Sequence, residues 1–248
     1  INIWKKHYSA ILLPVQEKAV RQFNLLQYNP SHRAYDQNHD TTGTLLVISP
    51  SSSGKTLVGE MAAVQEVCLR KRVIFLVPLR ILAEEKYRHF LTLYQSIGLK
   101  VKLSSRDYRH DDGDIVQGNF HIAVMVYEKF YYLFLQYPQL IENISLLIAD
   151  EIQIINDPQR GPRLEESLNY LRIKYPAIRI IALSAFTENA HSLASWLNAT
   201  VLFSAYRPVE LRKGIVRKGV PTSAHKTPKP LSILDSLNSY GTTFYIFL

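Results

Sequence analysis

The sequence is poor in cysteine, with Cys68 the only one in 248 residues. That excludes an intramolecular disulfide framework and a cysteine-rich zinc site, and it fits a reducing compartment. No apolar run approaches the ~18 residues that a membrane-spanning helix needs. The richest stretch, Val124 to Tyr137, is broken by Glu128 and Lys129. No secretory leader pattern opens the chain, and Ile1 in place of Met points to polypeptide ahead of it. Internal repeats and low-complexity tracts are lacking too. The eight histidines show no metal-ligand spacing, and Cys68 reads as a buried helix residue rather than a nucleophile.

What is present is ordinary for a packed chain. Hydrophobic residues make up 47% and charged residues 20%, which excludes disorder as the dominant state. The net charge of +8 and the pI of 9.4 favour a polyanionic partner without requiring one.

Short β-branched and aliphatic runs alternate with longer amphipathic stretches. Strands are predicted at Leu45 to Ile48, Val73 to Val77, Val101 to Leu103, Ile122 to Val126, Leu146 to Ala149 and Ile178 to Leu183. Helices are predicted at Thr56 to Leu69, Ile81 to Leu93, Leu164 to Lys174 and Ala190 to Leu197, the first with Leu57, Met61, Val64 and Leu69 near one face. Such alternation implies an α/β fold with a mostly parallel sheet covered on both sides. Ligands of such sheets sit beyond the carboxyl ends of the strands. Tyr28 to Thr42 reads as a polar surface loop. The domain is expected to occupy 1–212, followed by a basic linker over 213–240 with Lys213, Arg217, Lys218, Lys226 and Lys229. The β-run at 241–248 reads as the start of a further, truncated domain.

Ser49-Pro50-Ser51-Ser52-Ser53-Gly54-Lys55-Thr56 follows a strand and opens a helix, the context of a Walker A loop. There, backbone N–H groups point at a phosphate, Lys55 reaches the β- and γ-phosphates, and the Thr56 hydroxyl ligates Mg²⁺. Ser49 stands where the usual pattern has Gly, and a Ser-rich turn capping an ordinary helix has the same composition. Farther on, the apolar strand Leu146 to Ala149 ends in Asp150-Glu151. Adjacent carboxylates after a buried strand need partners, and Mg²⁺ held by Asp150 would supply one. Glu151 would then polarise an attacking water. The alternative is an ordinary acidic turn.

With these motifs in this order, nearly the whole chain resembles the first motor domain of superfamily-2 DExH-box helicases. The resemblance lies in the superkiller-like branch, near archaeal DNA-repair helicases that act at stalled forks. It implies a three-layer RecA-like P-loop NTPase fold, ATP and Mg²⁺ as cofactors, and a nucleic-acid partner, DNA rather than RNA. It also implies a second motor domain of the same polypeptide that supplies arginine fingers. The site residues follow from the motifs. Leu13-Pro14-Val15-Gln16 matches the Q motif, with Gln16 reading the adenine edge. Ser51, Ser52, Ser53, Gly54, Lys55 and Thr56 match motif I. Val77-Pro78-Leu79-Arg80 matches motif Ia, where Pro78 and Arg80 would meet the strand backbone. Ser104-Ser105-Arg106-Asp107-Tyr108 matches a further strand-contacting turn through Asp107, with Arg106 in place of a Gly. Tyr127-Glu128-Lys129 matches motif Ib, with Glu128 and Lys129 as strand contacts. Arg160, in Asn156-Asp157-Pro158-Gln159-Arg160-Gly161-Pro162, is a nucleic-acid or interdomain contact.

Asp150-Glu151-Ile152-Gln153 matches motif II. Gln153 replaces the branch's usual His, at the position that links the ATP site to motif III. Ser184-Ala185-Phe186 matches motif III, with Phe186 replacing Thr on the same coupling path. Both departures predict altered coupling rather than lost chemistry. The resemblance implies an intracellular monomer without membrane association, cytoplasmic in an archaeon and nuclear in a eukaryote, with 3′ to 5′ polarity. The alternatives are a degenerate motor serving as a nucleic-acid or protein-binding module, or an RNA helicase. A kinase or GTPase would leave the Q motif and motif Ia without a role.

Overall fold

Alternation within the apolar runs decides which side of the sheet each residue serves, because successive strand side chains point to opposite faces. The computed structural model describes residues 11–26, 43–142, 144–185, 189–208, 214–217 and 220–223. Seven strands form one sheet: β1 (Leu45–Ile48), β2 (Arg72–Val77), β3 (Val101–Ser104), β4 (Ile122–Val126), β5 (Ile144–Asp150), β6 (Arg179–Ser184) and β7 (Thr200–Phe203). Their order is β3-β4-β2-β5-β6-β1-β7, and every pairing is parallel. The helices are α1 (Pro14–Arg21), α2 (Lys55–Cys68), α3 (Arg80–Tyr94), α4 (Asp112–Val116), α5 (Tyr127–Gln136), α6 (Gln139–Glu142), α7 (Gly161–Lys174) and α8 (Ala190–Leu197).

Two cores sandwich the sheet. On one face, Val47, Phe75 and Ile148 pack with Val58 and Met61 of α2 and Phe90 of α3. On the other, Leu46, Ile74 and Leu147 pack with Phe130 of α5, Leu168 of α7 and Leu197 of α8. This is the three-layer α/β arrangement expected of a RecA-like domain. The central strands are buried on both faces, which explains their uninterrupted apolar character.

Three details differ from expectation. Cys68 is exposed at the last turn of α2, and Leu69 is 52% exposed. The chain leaves the sheet there, so the inward face is carried by Val58, Met61 and Ala62 instead. Strand β7 has no counterpart among the predicted elements. The 28–42 loop lies outside the described residues.

The chain divides into a unit ending at Tyr206 and a second beginning at Arg207. In the second, β8 (Gly214–Arg217) and β9 (Val220–Ser223) form an antiparallel hairpin within the stretch read as a linker. The 241–248 run lies outside the described residues. Among the described residues, no helix is long and apolar enough to cross a membrane, and no group of three or more His, Cys, Asp or Glu side chains is placed to hold a metal.

Candidate active site

Parallel strands deliver their following loops to one edge of the sheet, so residues far apart in sequence meet at the carboxyl ends of β1, β5 and β6. Ser49 extends the β1–β6 ladder, its N–H donating to the Ser184 carbonyl at 3.1 Å. The loop then curls back through two left-handed residues, Ser52 (φ 65°) and Gly54 (φ 84°). At Gly54 a Cβ would lie 2.3 Å from Gln16 Nε2, so conformation and space both call for glycine.

Helix α2 starts at once, with no side chain capping its N terminus. A helix start that no side chain caps can take an anion. In the same loop the Ser49 and Ser53 hydroxyls are buried without hydrogen-bond partners. An uncapped helix start beside orphaned hydroxyls fits a phosphate better than it fits a Ser-capped helix.

Gln16, 4% exposed, reaches this loop from the first turn of α1. Its Oε1 accepts from the Leu13 N–H at 2.9 Å, and its Nε2 donates to the Gly54 carbonyl at 3.1 Å. Lys55 is 5% exposed, and its Nζ lies 3.0 Å from Glu151 Oε1. The Thr56 hydroxyl donates to Asp150 Oδ2 at 3.3 Å. Asp150 Oδ1 accepts from the Glu151 N–H at 3.0 Å. Burial, then the adjacent Glu151 charge, pushes the Asp150 carboxyl up to about 6, against the pull of Lys86 and Lys55. A divalent cation would reverse that balance, and a Thr hydroxyl beside a carboxylate is an all-oxygen donor set suited to Mg²⁺. Glu151 itself has φ 55°, an uncommon conformation for a residue with a Cβ and one that clusters at functional sites.

Gln153, expected from the sequence to couple the two motifs, engages both ends of its amide. Its Nε2 donates to Glu151 Oε2. Its Oε1 accepts from the Ser184 hydroxyl at 3.0 Å and from the Ala185 N–H at 3.3 Å. The Glu151 carboxylate is thus tied to the end of β6 through one side chain. Phe186 lies outside the described residues.

The expected strand contacts lie in the segments that follow β2, β3, β4 and β5, and Arg80, Lys129 and Arg160 each have a protein partner. Pro78 is buried just past β2. Arg80, 55% exposed, pairs with Asp107 and Glu84; its hydrogen bond to Asp107 raises its pKa above the ordinary value. Lys129 pairs with Asp112, which also accepts from the Ser104 hydroxyl. Arg160 pairs with Glu128 and donates to the Pro78 carbonyl. Arg106 is exposed.

Sequence reasoning passed over Tyr127 as a site residue. Its buried hydroxyl donates to the Asp150 carbonyl. Burial, then the charges of Asp150 and Glu151, holds its phenol well above the ordinary range. An aromatic hydroxyl heading a helix just after a strand was the available signal.

Fold and loops together define a RecA-like P-loop domain. The sequence pattern of the DEAD/DEAH box helicases matches residues 25–193, and the chain belongs to that family. It is 38% identical over 240 residues to the ATP-dependent DNA helicase Hel308 of Caldivirga maquilingensis, covering 93% of this chain and 29% of that protein. The Hel308 of Methanocaldococcus jannaschii is 35% identical over 230 residues, covering 90% of this chain and 19% of the relative. That of Thermococcus kodakarensis is 36% identical over 206 residues, covering 83% and 17% respectively. The chain therefore spans less than a third of the length of these relatives.

Proposed function

We propose that this chain is the first motor domain of an ATP-dependent DNA helicase that translocates 3′ to 5′ in repair or replication-fork processing. The observation that carries the reading is the convergence of Lys55, Thr56, Asp150 and Glu151 from two loops separated by 93 residues of sequence and one strand of the sheet. A family member that had lost turnover would have no chemical reason to hold this set together. The Hel308 relatives are named as DNA helicases, which favours DNA over RNA.

In this reading the open start of α2 and Lys55 bind the β- and γ-phosphates of ATP. Thr56 and Asp150 hold Mg²⁺, which would neutralise phosphate charge and orient the γ-phosphoryl group. Glu151 orients the attacking water. Phosphate and Glu151 compete for the Lys55 ammonium, so ATP binding frees the carboxylate for its catalytic task. Gln153 then reports the state of Glu151 to β6. An arginine from a second motor domain in the rest of the polypeptide completes the charge stabilisation, a contribution worth ~10³–10⁵ in rate in related phosphate chemistry. This chain alone should accordingly turn over ATP very slowly. The motor works as an intracellular monomer on the DNA backbone, which explains its basic balance and makes binding salt-dependent.

Gln16 gives the nucleotide its identity. An amide has two N–H donors and two lone pairs. One of each is used on Gly54 and Leu13, and one of each remains for a bidentate contact to adenine. Competition between ATP and GTP for the site tests this. The parent chain should prefer ATP, and Gln16→Ala should shrink that preference about tenfold, the loss of one or two hydrogen bonds. An unchanged preference would remove Gln16 from recognition.

A further inference from the structure

Three neighbouring strands, β4, β2 and β5, end side by side, and the segments that follow them, which for β4 is the first turn of α5, are stitched together at two points. The first stitch is Tyr127, whose hydroxyl holds the backbone carbonyl of Asp150. The second is Arg160. Its Nε lies 2.6 Å from Glu128 Oε1, and its terminal nitrogen donates to the Pro78 carbonyl. One guanidinium therefore joins the turn after β2 to the turn after β4. It does so from the loop that begins at Glu151.

That loop is built to present Arg160. The 3-10 turn Ile152–Asn156 runs from Glu151 to Asp157. Asp157 Oδ1 accepts from the N–H groups of Gln159 at 2.8 Å and Arg160 at 2.9 Å. Gly161 packs so closely that a Cβ would lie 2.0 Å from the Ile155 carbonyl oxygen. The side chain that follows from this backbone is 28% exposed and spends two of its five N–H donors inward, one on a carboxylate and one on a carbonyl. Both are poor surroundings for a phosphate oxygen, and only a fork-shaped donor set reaches both at once.

We propose that Arg160 is a positioning residue rather than a strand-phosphate contact. It locks the Pro78 and Tyr127-Glu128 turns to the loop behind Glu151, so that strand binding at these turns and ATP turnover at Glu151 are coupled through it. The assignment rests on the motor reading above. Tyr127 and Glu128 are adjacent, so a shift of this turn acts on Asp150 through one residue and on Arg160 through the next.

The test uses the full-length protein and compares parent, Arg160→Lys and Glu128→Gln. Three quantities are measured for each: ATP affinity, single-stranded DNA affinity at two salt concentrations, and the ratio of DNA-stimulated to basal ATP turnover at saturating DNA. Lysine keeps the charge and loses the fork. The expected result is a stimulation ratio lowered about tenfold or more in both variants, with DNA affinity and its salt slope within about twofold of the parent. The double variant should be no worse than either single one, as for residues acting as a unit. Retained ATP affinity shows that each variant is folded.

A weakened DNA affinity with a salt slope reduced by about one, and an undiminished ratio at saturation, is the signature of a lost phosphate contact and overturns the proposal. A parent whose turnover ignores DNA removes the motor reading and this proposal together. A stimulated parent with equally stimulated variants removes this proposal alone.

Discussion

Glu151→Gln is expected to abolish ATP turnover while leaving nucleotide binding intact. The substitution keeps size and an acceptor for the Gln153 amide, whose Nε2 donates to Oε2. It removes the charge that polarises water, a contribution of ~10²–10⁴ in rate for a positioned general base. It also removes the carboxylate that competes for the Lys55 ammonium across 3.0 Å. ATP affinity should therefore be equal to the parent's or tighter. Equilibrium binding of a fluorescent ATP analogue, beside single-turnover hydrolysis, separates the two effects. Weaker binding together with lost turnover would mean that Glu151 organises the loop rather than the water.

Lys55→Ala has the opposite profile. The ammonium is almost fully buried and is ion-paired with Glu151. A charged hydrogen bond of this kind contributes about 1.5–3 kcal/mol, so ATP affinity should fall ~10–100-fold. Glu151, one-third exposed at its side chain, keeps the Gln153 bond and some water, so the fold should survive. Turnover falls with occupancy and does not recover at saturating ATP, because the γ-phosphate loses its cation. An affinity within twofold of the parent would remove the phosphate loop from the account.

The core of the fold was legible because its strands are buried on both faces. Leu45 to Ile48, Ile122 to Val126 and Leu146 to Ala149 stand out as apolar runs for that reason. Strand β7 was not legible. It is an edge strand of four residues in which only Leu202 is buried, and its pairing with β1 is a tertiary fact. Leu69 misled because periodicity extends a helix past the point where the chain turns away from the core.

That Lys55, Thr56, Asp150 and Glu151 belong together could be read ahead of the structure because each motif is a contiguous stretch of sequence, and the fold does bring the two stretches together. Ser52 and Glu151 add a feature that spacing does not show, a left-handed backbone at non-glycine positions. The coupling half was legible only in outline. The replacement of His by Gln153 could be seen, but not that both ends of its amide are engaged, since Ser184 and Ala185 arrive from another strand. Arg160 shows the limit most plainly. Its charge and family position pointed to a nucleic-acid or interdomain contact and said nothing of partners within the domain. Its partners Glu128 and Pro78 lie 32 and 82 residues away and are brought to it by strand order alone.

The central claim is that this site is a working engine driven by a strand lying across the neighbouring turns. The most direct measurement is steady-state ATP hydrolysis by the full-length protein, titrated with single-stranded DNA at low and moderate salt. The account predicts turnover raised at least tenfold by DNA, with the half-saturating DNA concentration climbing steeply with salt as phosphate contacts are screened. Turnover that is independent of DNA at both salt concentrations would contradict it.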